Sequence, residues 1–158
     1  MPSPKTYRSC VLAVFINDAQ LVLVARRSGT NCWQFPQGGV EADEDHESAL
    51  KREMHEEIGV GDFRILAKVP EPIPYDFPPD LGIALAKKYR GQNQYWYLCA
   101  LPAGSSPNLA AATDHEFDAV RWTTAKLAYQ EIVGFKKSSY LQGLTALGLI
   151  SQETKGGA

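Results

Sequence analysis

The sequence is poor in cysteine. Its three, Cys10, Cys32 and Cys99, are odd in number and far apart, which excludes a disulfide framework and a zinc-ligand spacing. Such usage suits a reducing, cytoplasmic setting. Long apolar runs are also missing. The longest, CVLAVFI at residues 10–16, is far too short to cross a bilayer as a helix, so no membrane partner is expected. The opening MPSPKTYRS has no signal-peptide pattern. No repeat and no linker interrupt the chain, so one domain is expected over residues 1–158, with 151–158 a frayed tail and no sign of an oligomeric state. An excess of one charge sign is absent too: the formal net charge is −2, and the whole-molecule field selects no partner. What remains is ample for a globular core, with 44% hydrophobic and only 22% charged residues.

The charge is unevenly spread. Residues 41–57 hold eight carboxylates against Lys51 and Arg52 alone, a net of −6, while the other residues sum to +4. An acidic patch in a basic remainder suits a cation site that handles an anionic substrate, and equally an ordinary mixed surface.

The coarse pattern mixes helices with strands. Residues 10–16 and 21–25 are apolar and β-branched around Asn17 and Asp18, which predicts a hairpin. Residues 31–39 (NCWQFPQGG) and the proline-rich 70–79 read as loops, and 102–114 as a mobile one. Strands are predicted over 63–69, 94–101 and 117–122, and helical spacing over 140–150. A helix over 45–58 should stop at Gly59 in the left-handed conformation. Together these predict an α/β sandwich.

On a helical wheel with Leu50 at zero, Met54 and Ile58 fall at about 40° and 80°, one buried stripe. Glu56, Glu53 and Glu57 fall at about 240°, 300° and 340°, one arc beside it. Arg52 stands four residues before Glu56 and can pair with it. Three carboxylates on one face repel each other, and a hard divalent cation would remove the repulsion. A solvated acidic face is the other reading of that bare triplet. Glycines at 38 and 39 let a backbone carbonyl approach the same place.

The spacing of these residues is specific. Gly38, Glu44 and the run Arg52-Glu53-Met54-His55-Glu56-Glu57-Ile58-Gly59-Val60 resemble the signature box of the Nudix hydrolase superfamily at every defined position. WQFPQGG (33–39), YDFPPD (75–80), GQNQYWYL (91–98), EFDAVRW (116–122) and GFKK (134–137) are similar to the branch that holds bacterial RNA 5′-pyrophosphohydrolases and dinucleoside tetraphosphate (Ap4A) hydrolases. The resemblance runs from about Tyr7 to Lys137.

That resemblance implies an α/β/α sandwich with a mixed β-sheet and a Mg²⁺- or Mn²⁺-dependent cleavage of a phosphoanhydride. It implies Glu53, Glu56, Glu57 and Glu116 as metal ligands, joined by the Gly38 carbonyl. Arg52 would orient the glutamates with Glu44 as its partner, and Glu57 or Glu116 would act as base. Arg8, Arg26 and Arg27 stand near strand ends where guanidinium groups can grip phosphate, as matching arginines in the branch do. Tyr75 and Lys87, with Lys88 and Arg90, belong to a loop that could close over phosphates. Lys136 would meet a phosphate and Phe135 would stack on a base. Trp33 and Phe35 should pack the loop, and His46, His55 and His115 lack metal-ligand spacing.

Three functions stay open. The first is removal of pyrophosphate from RNA 5′-triphosphate ends, the second hydrolysis of Ap4A, and the third a catalytically silent binding module. A short C-terminus without a basic extension favours Ap4A, and overall resemblance favours RNA. Glu57→Gln should lower turnover by orders of magnitude while circular dichroism shows an intact fold; unchanged turnover in the folded variant would remove Glu57 from the chemistry.

Overall fold

The computed structural model describes residues 5–151, so most of the expected frayed tail lies outside the described residues. In chain order the elements are β1 (Tyr7–Phe15), β2 (Val22–Arg27), β3 (Trp33–Gln34), β4 (Gln37–Gly39), α1 (His46–Ile58), β5 (Arg64–Lys68), β6 (Ile73–Asp76), α2 (Ala84–Lys88), β7 (Gly91–Ala100), β8 (Phe117–Thr123), α3 (Ala125–Glu131) and α4 (Lys137–Ala146). β1 lies between β4 and β7. It runs parallel to β7 over its whole length, from Tyr7↔Gly91 to Phe15↔Cys99, and antiparallel to β4. β5 and β6 both pair antiparallel with β7, which makes this five-stranded sheet mixed. A second sheet has the order β3-β2-β8.

The alternation of side chains along β1 explains the layers. Val11, Ala13 and Phe15 join Leu50, Met54 and Ile58 of α1 in one core cluster. Leu12 and Val14 join Ala128, Tyr140 and Leu144 of α3 and α4 in the other. Strands covered on both faces read as continuous apolar runs, which is what VLAVF is. The expected α/β/α sandwich is therefore what the chain forms. No helix among the described residues is long and apolar enough to cross a membrane.

The expected hairpin is corrected. β1 and β2 touch through a single bridge, Ile16↔Val22, and belong to different sheets. Asn17 does make the tight turn, its side-chain oxygen accepting from the Ala19 and Leu21 N–H groups. Each run is apolar on both faces, so each sits at the centre of its own sheet instead of against the other. The expected loops at 31–39 and 70–79 also contain short strands. Pro74 is tolerated in β6 because that strand pairs on one side only, with β7.

Helix α1 follows its signals. Asp45 caps it by accepting from the Ser48 N–H at 2.8 Å, and Gly59 ends it at φ 66°. The segment expected to be mobile, 102–114, is tied to that helix end. Asn108 N–H donates to the Ile58 carbonyl and Asp114 N–H to the Glu56 carbonyl, both at 2.9 Å. These bonds satisfy carbonyls that a helix C-terminus otherwise leaves unpaired. A Cβ on Gly59 would collide with the Asn108 carbonyl oxygen. Gly59→Ala should therefore cost about 2 kcal/mol or more in urea denaturation, from left-handed backbone strain plus the collision. An unchanged midpoint would contradict the seating of this loop on α1.

Candidate active site

Arg52 organises the acidic helix. Its Nε and Nη2 form a fork on Glu44, both at 2.8 Å, and Nη2 also donates to the Gly39 carbonyl at 2.9 Å. Its Nη1 reaches Glu53 at 2.9 Å and Glu56 at 3.1 Å. The Arg52 hydrogen bonds, then the Glu41 N–H, lower the Glu44 pKa to about 2. The same partner raises the Arg52 pKa further. The glycines complete the fit: a Cβ on Gly38 would overlap the Glu53 carboxylate, and one on Gly39 the Arg8 guanidinium. The loop therefore needs glycine where it passes between these charges.

Glu57 is different. It is 2% exposed, and its Oε2 has no hydrogen-bond partner. Burial, then the charges of Glu116 and Glu53, raise its pKa well above the usual carboxylate range. Burial also raises Glu53, against the pull of Arg52. Carboxylate oxygens of Glu57, Asp114 and Glu116 lie within 4.8 Å of one another. An all-oxygen donor set with an orphaned buried oxygen fits a hard divalent cation.

These acids line one side of a cavity of about 490 Å³. Arg8, Arg27 and Lys136 line it as well, and Phe77, Leu81, Ile83, Leu85, Val133 and Phe135 form an apolar rim. Arg8 donates to Gln92 at 3.1 Å, and Gln92 donates to the Tyr75 hydroxyl at 2.6 Å. Lys136 is buried, with its ammonium 5.5 Å from the Tyr75 ring centre. Burial lowers its pKa to about 8. Among the described residues it has no ion pair, so its charge is available to an anion. Phe135 lies against Tyr75, with ring centres 5.9 Å apart.

Two expected phosphate contacts lie elsewhere. Arg26 does not line the cavity: it pairs with Asp118 at 2.8 Å and lies over Trp33. The pairing of β2 with β8 shifts register between Arg26 and Arg27, and of the two only Arg27 lines the cavity. Lys87 is exposed on α2, and Leu81, Ile83 and Leu85 face the cavity instead. Trp33 and Phe35 pack the loop as expected, Phe35 stacking on Tyr140 at 4.9 Å. His46 lies on Tyr95, His55 and His115 are exposed, and none is in the carboxylate cluster. Asp114, Gln34, Gln37, Gln92 and the apolar rim other than Phe135 went unnoticed in the sequence. The one available signal was glutamine at alternate positions in GQNQYW, polar where a buried strand should be apolar.

The NUDIX domain family matches residues 6–141. The chain belongs to this family. An RNA pyrophosphohydrolase of Acidiphilium cryptum (strain JF-5) is 40% identical over 140 residues, covering 85% of each chain. One from Campylobacter jejuni is 36% identical over 148 residues, covering 90% of this chain and 93% of that one. Among solved structures, the E. coli dihydroneopterin triphosphate pyrophosphohydrolase superposes with a TM-score of 0.66 at 20% identity, covering 87% of this chain and 97% of that one. A C. elegans Ap4A hydrolase gives 0.65 at 20%, covering 89% and 96%. These two likenesses concern the NUDIX fold alone.

The buried glutamate of this NUDIX site has a consequence for stability. With no cation bound, folded Glu57 holds a proton that the unfolded chain releases above its ordinary pKa of 4.5. The metal-free protein should therefore lose stability as pH rises from there through neutrality. Glu57→Gln in EDTA should melt higher than the parent at pH 8 and vary less with pH. Parallel melting curves from pH 5 to 8 would show that Glu57 ionises freely in the fold.

Proposed function

We propose that this NUDIX protein works as one domain of 158 residues and removes pyrophosphate from the 5′-triphosphate end of RNA, with Mg²⁺ or Mn²⁺ as cofactor, in the cytoplasm. One observation carries the reading: the same cavity joins a carboxylate cluster, with the unpartnered Oε2 of Glu57 in it, to Arg8, Arg27 and Lys136, with an apolar rim beside them. A polyphosphate followed by a base has that sequence of charges and surfaces. Similarity to RNA pyrophosphohydrolases over most of both chains supports it.

Glu53, Glu56, Glu57 and Glu116, with the Gly38 carbonyl, would hold the cation. When bound, it neutralises the polyphosphate and makes a water easier to deprotonate. Arg52 holds Glu53 and Glu56 in place through hydrogen bonds. Glu57 or Glu116, the box and distal carboxylates without a bond to Arg52, takes the proton of the attacking water. Arg8, Arg27 and Lys136 hold phosphate oxygens, and Lys136 gains charge when an anion enters its buried site. Phe135 offers its face to a base, beside Tyr75.

Ap4A hydrolysis is the second reading, and a specific feature favours it: Leu81, Ile83, Leu85, Val133 and Phe135 line the same cavity, an apolar surface for a further base. A silent module is disfavoured, since every box glutamate is present and clustered. Hydrolysis of a 5′-triphosphorylated RNA oligomer and of Ap4A should be measured side by side with Mg²⁺. The expected result is a higher kcat/KM on RNA and near-complete loss on both substrates in Glu57→Gln. A much higher value on Ap4A would replace the RNA reading.

A further inference from the structure

Six carboxylates gather at and around α1, of which Glu53, Glu57, Asp114 and Glu116 line the cavity, and the structure divides the six into two sets. Glu44, Glu53 and Glu56 each accept a hydrogen bond from Arg52. Glu57, Asp114 and Glu116 do not. Among the described residues the one basic group within ion-pair distance of this second set is Arg27, 3.9 Å from Glu116 and half exposed. Like charges do not assemble without a reason, so two questions follow: what holds them together, and what compensates them.

The backbone holds them. Asp114 N–H donates to the Glu56 carbonyl at 2.9 Å, and the Glu116 carbonyl accepts from the Ser28 N–H at 2.8 Å. The Ser28 hydroxyl donates to the His115 carbonyl at 2.7 Å. Residues 114–116 are thus strapped between α1 and the end of β2, with the Asp114 and Glu116 side chains left to the cavity. Three oxygens, one per residue, lie within 4.8 Å of one another, a spacing that a single hard cation can bridge. The second observation is independent of that crowding. Glu57 is 2% exposed and its Oε2 meets no donor, an arrangement that an ionised buried oxygen tolerates only beside a positive ligand.

We infer that Asp114 is a further ligand of the divalent cation, joining Glu57 and Glu116, the carboxylates there that accept no hydrogen bond from Arg52. Asp114 lies outside the signature box, on a loop with no functional expectation from sequence. It adds a third carboxylate that Arg52 does not compensate, and affinity for a hard cation rises with ligand charge. The inference rests on the proposed function only in requiring a divalent cation.

The test titrates Mn²⁺ into the metal-free full-length protein, parent and Asp114→Asn, and follows free Mn²⁺ by electron paramagnetic resonance. Asp114→Asn should weaken Mn²⁺ binding about tenfold or more, and Glu116→Gln should weaken it too. Melting curves supply a readout that a structural role would move in the opposite direction. In EDTA, Asp114→Asn should melt no lower than the parent, because a repulsive charge is gone. With Mn²⁺, its gain in Tm should be smaller. An unchanged Mn²⁺ isotherm overturns the inference, as does a variant destabilised in EDTA that binds Mn²⁺ like the parent. Failure to hydrolyse RNA would overturn the proposed function alone, since the isotherm is read without substrate.

Discussion

The acidic helix exists as a site because of one guanidinium. Glu44, Glu53 and Glu56 could not be held so close without a shared cation, and Arg52 supplies it through hydrogen bonds of 2.8 to 3.1 Å. Its planar fork matches the Glu44 carboxylate in a way that a lysine ammonium cannot. Its bond to the Gly39 carbonyl fastens the glycine loop to the helix. Loop, first glutamate and helix become one rigid object, and the position of Glu53 follows from it. Glu57 is left outside this compensation, buried and ready for a different positive partner.

The sheets decide which basic groups face those acids. β1 presents Arg8, β2 presents Arg27, and the turn before α4 presents Lys136, three elements distant in sequence that meet at one cavity. The parallel pairing of β1 with β7 brings Gln92 beside Arg8, and β6 adds Tyr75 from the other side of β7. The polar chain Arg8–Gln92–Tyr75 then keeps the guanidinium oriented while half-buried. A polyphosphate entering here meets fixed charges that need little rearrangement, the condition under which electrostatic stabilisation is most effective.

The apolar rim adds a second kind of recognition. Leu81, Ile83 and Leu85 of segment 77–85 line the same cavity as Val133 and Phe135 of segment 133–135. They give an apolar surface beside the charged groups. Lys87 is exposed and Arg26 is held by Asp118, and neither lines the cavity.

The sequence by itself determined the helix and its stop, the pairing of Arg52 with Glu56, and the convergence of three glutamates on one arc. All of these depend on spacing within one helix and its flanking loop, where 3.6 residues per turn carries the geometry. The separation of β1 and β2 into two sheets was invisible, because an apolar run shows that a strand is buried but not which neighbour it pairs with. The same holds for Arg26 against Arg27, since the pairing of β2 with β8 shifts register between them and no local pattern shows it. Asp114 was hidden for a related reason: its place beside Glu57 comes from a loop bonded to the helix end, 57 residues on in the chain. Charges adjacent in sequence are legible from local periodicity; charges brought together across the chain are decided by how the sheets and the loops that close them pack.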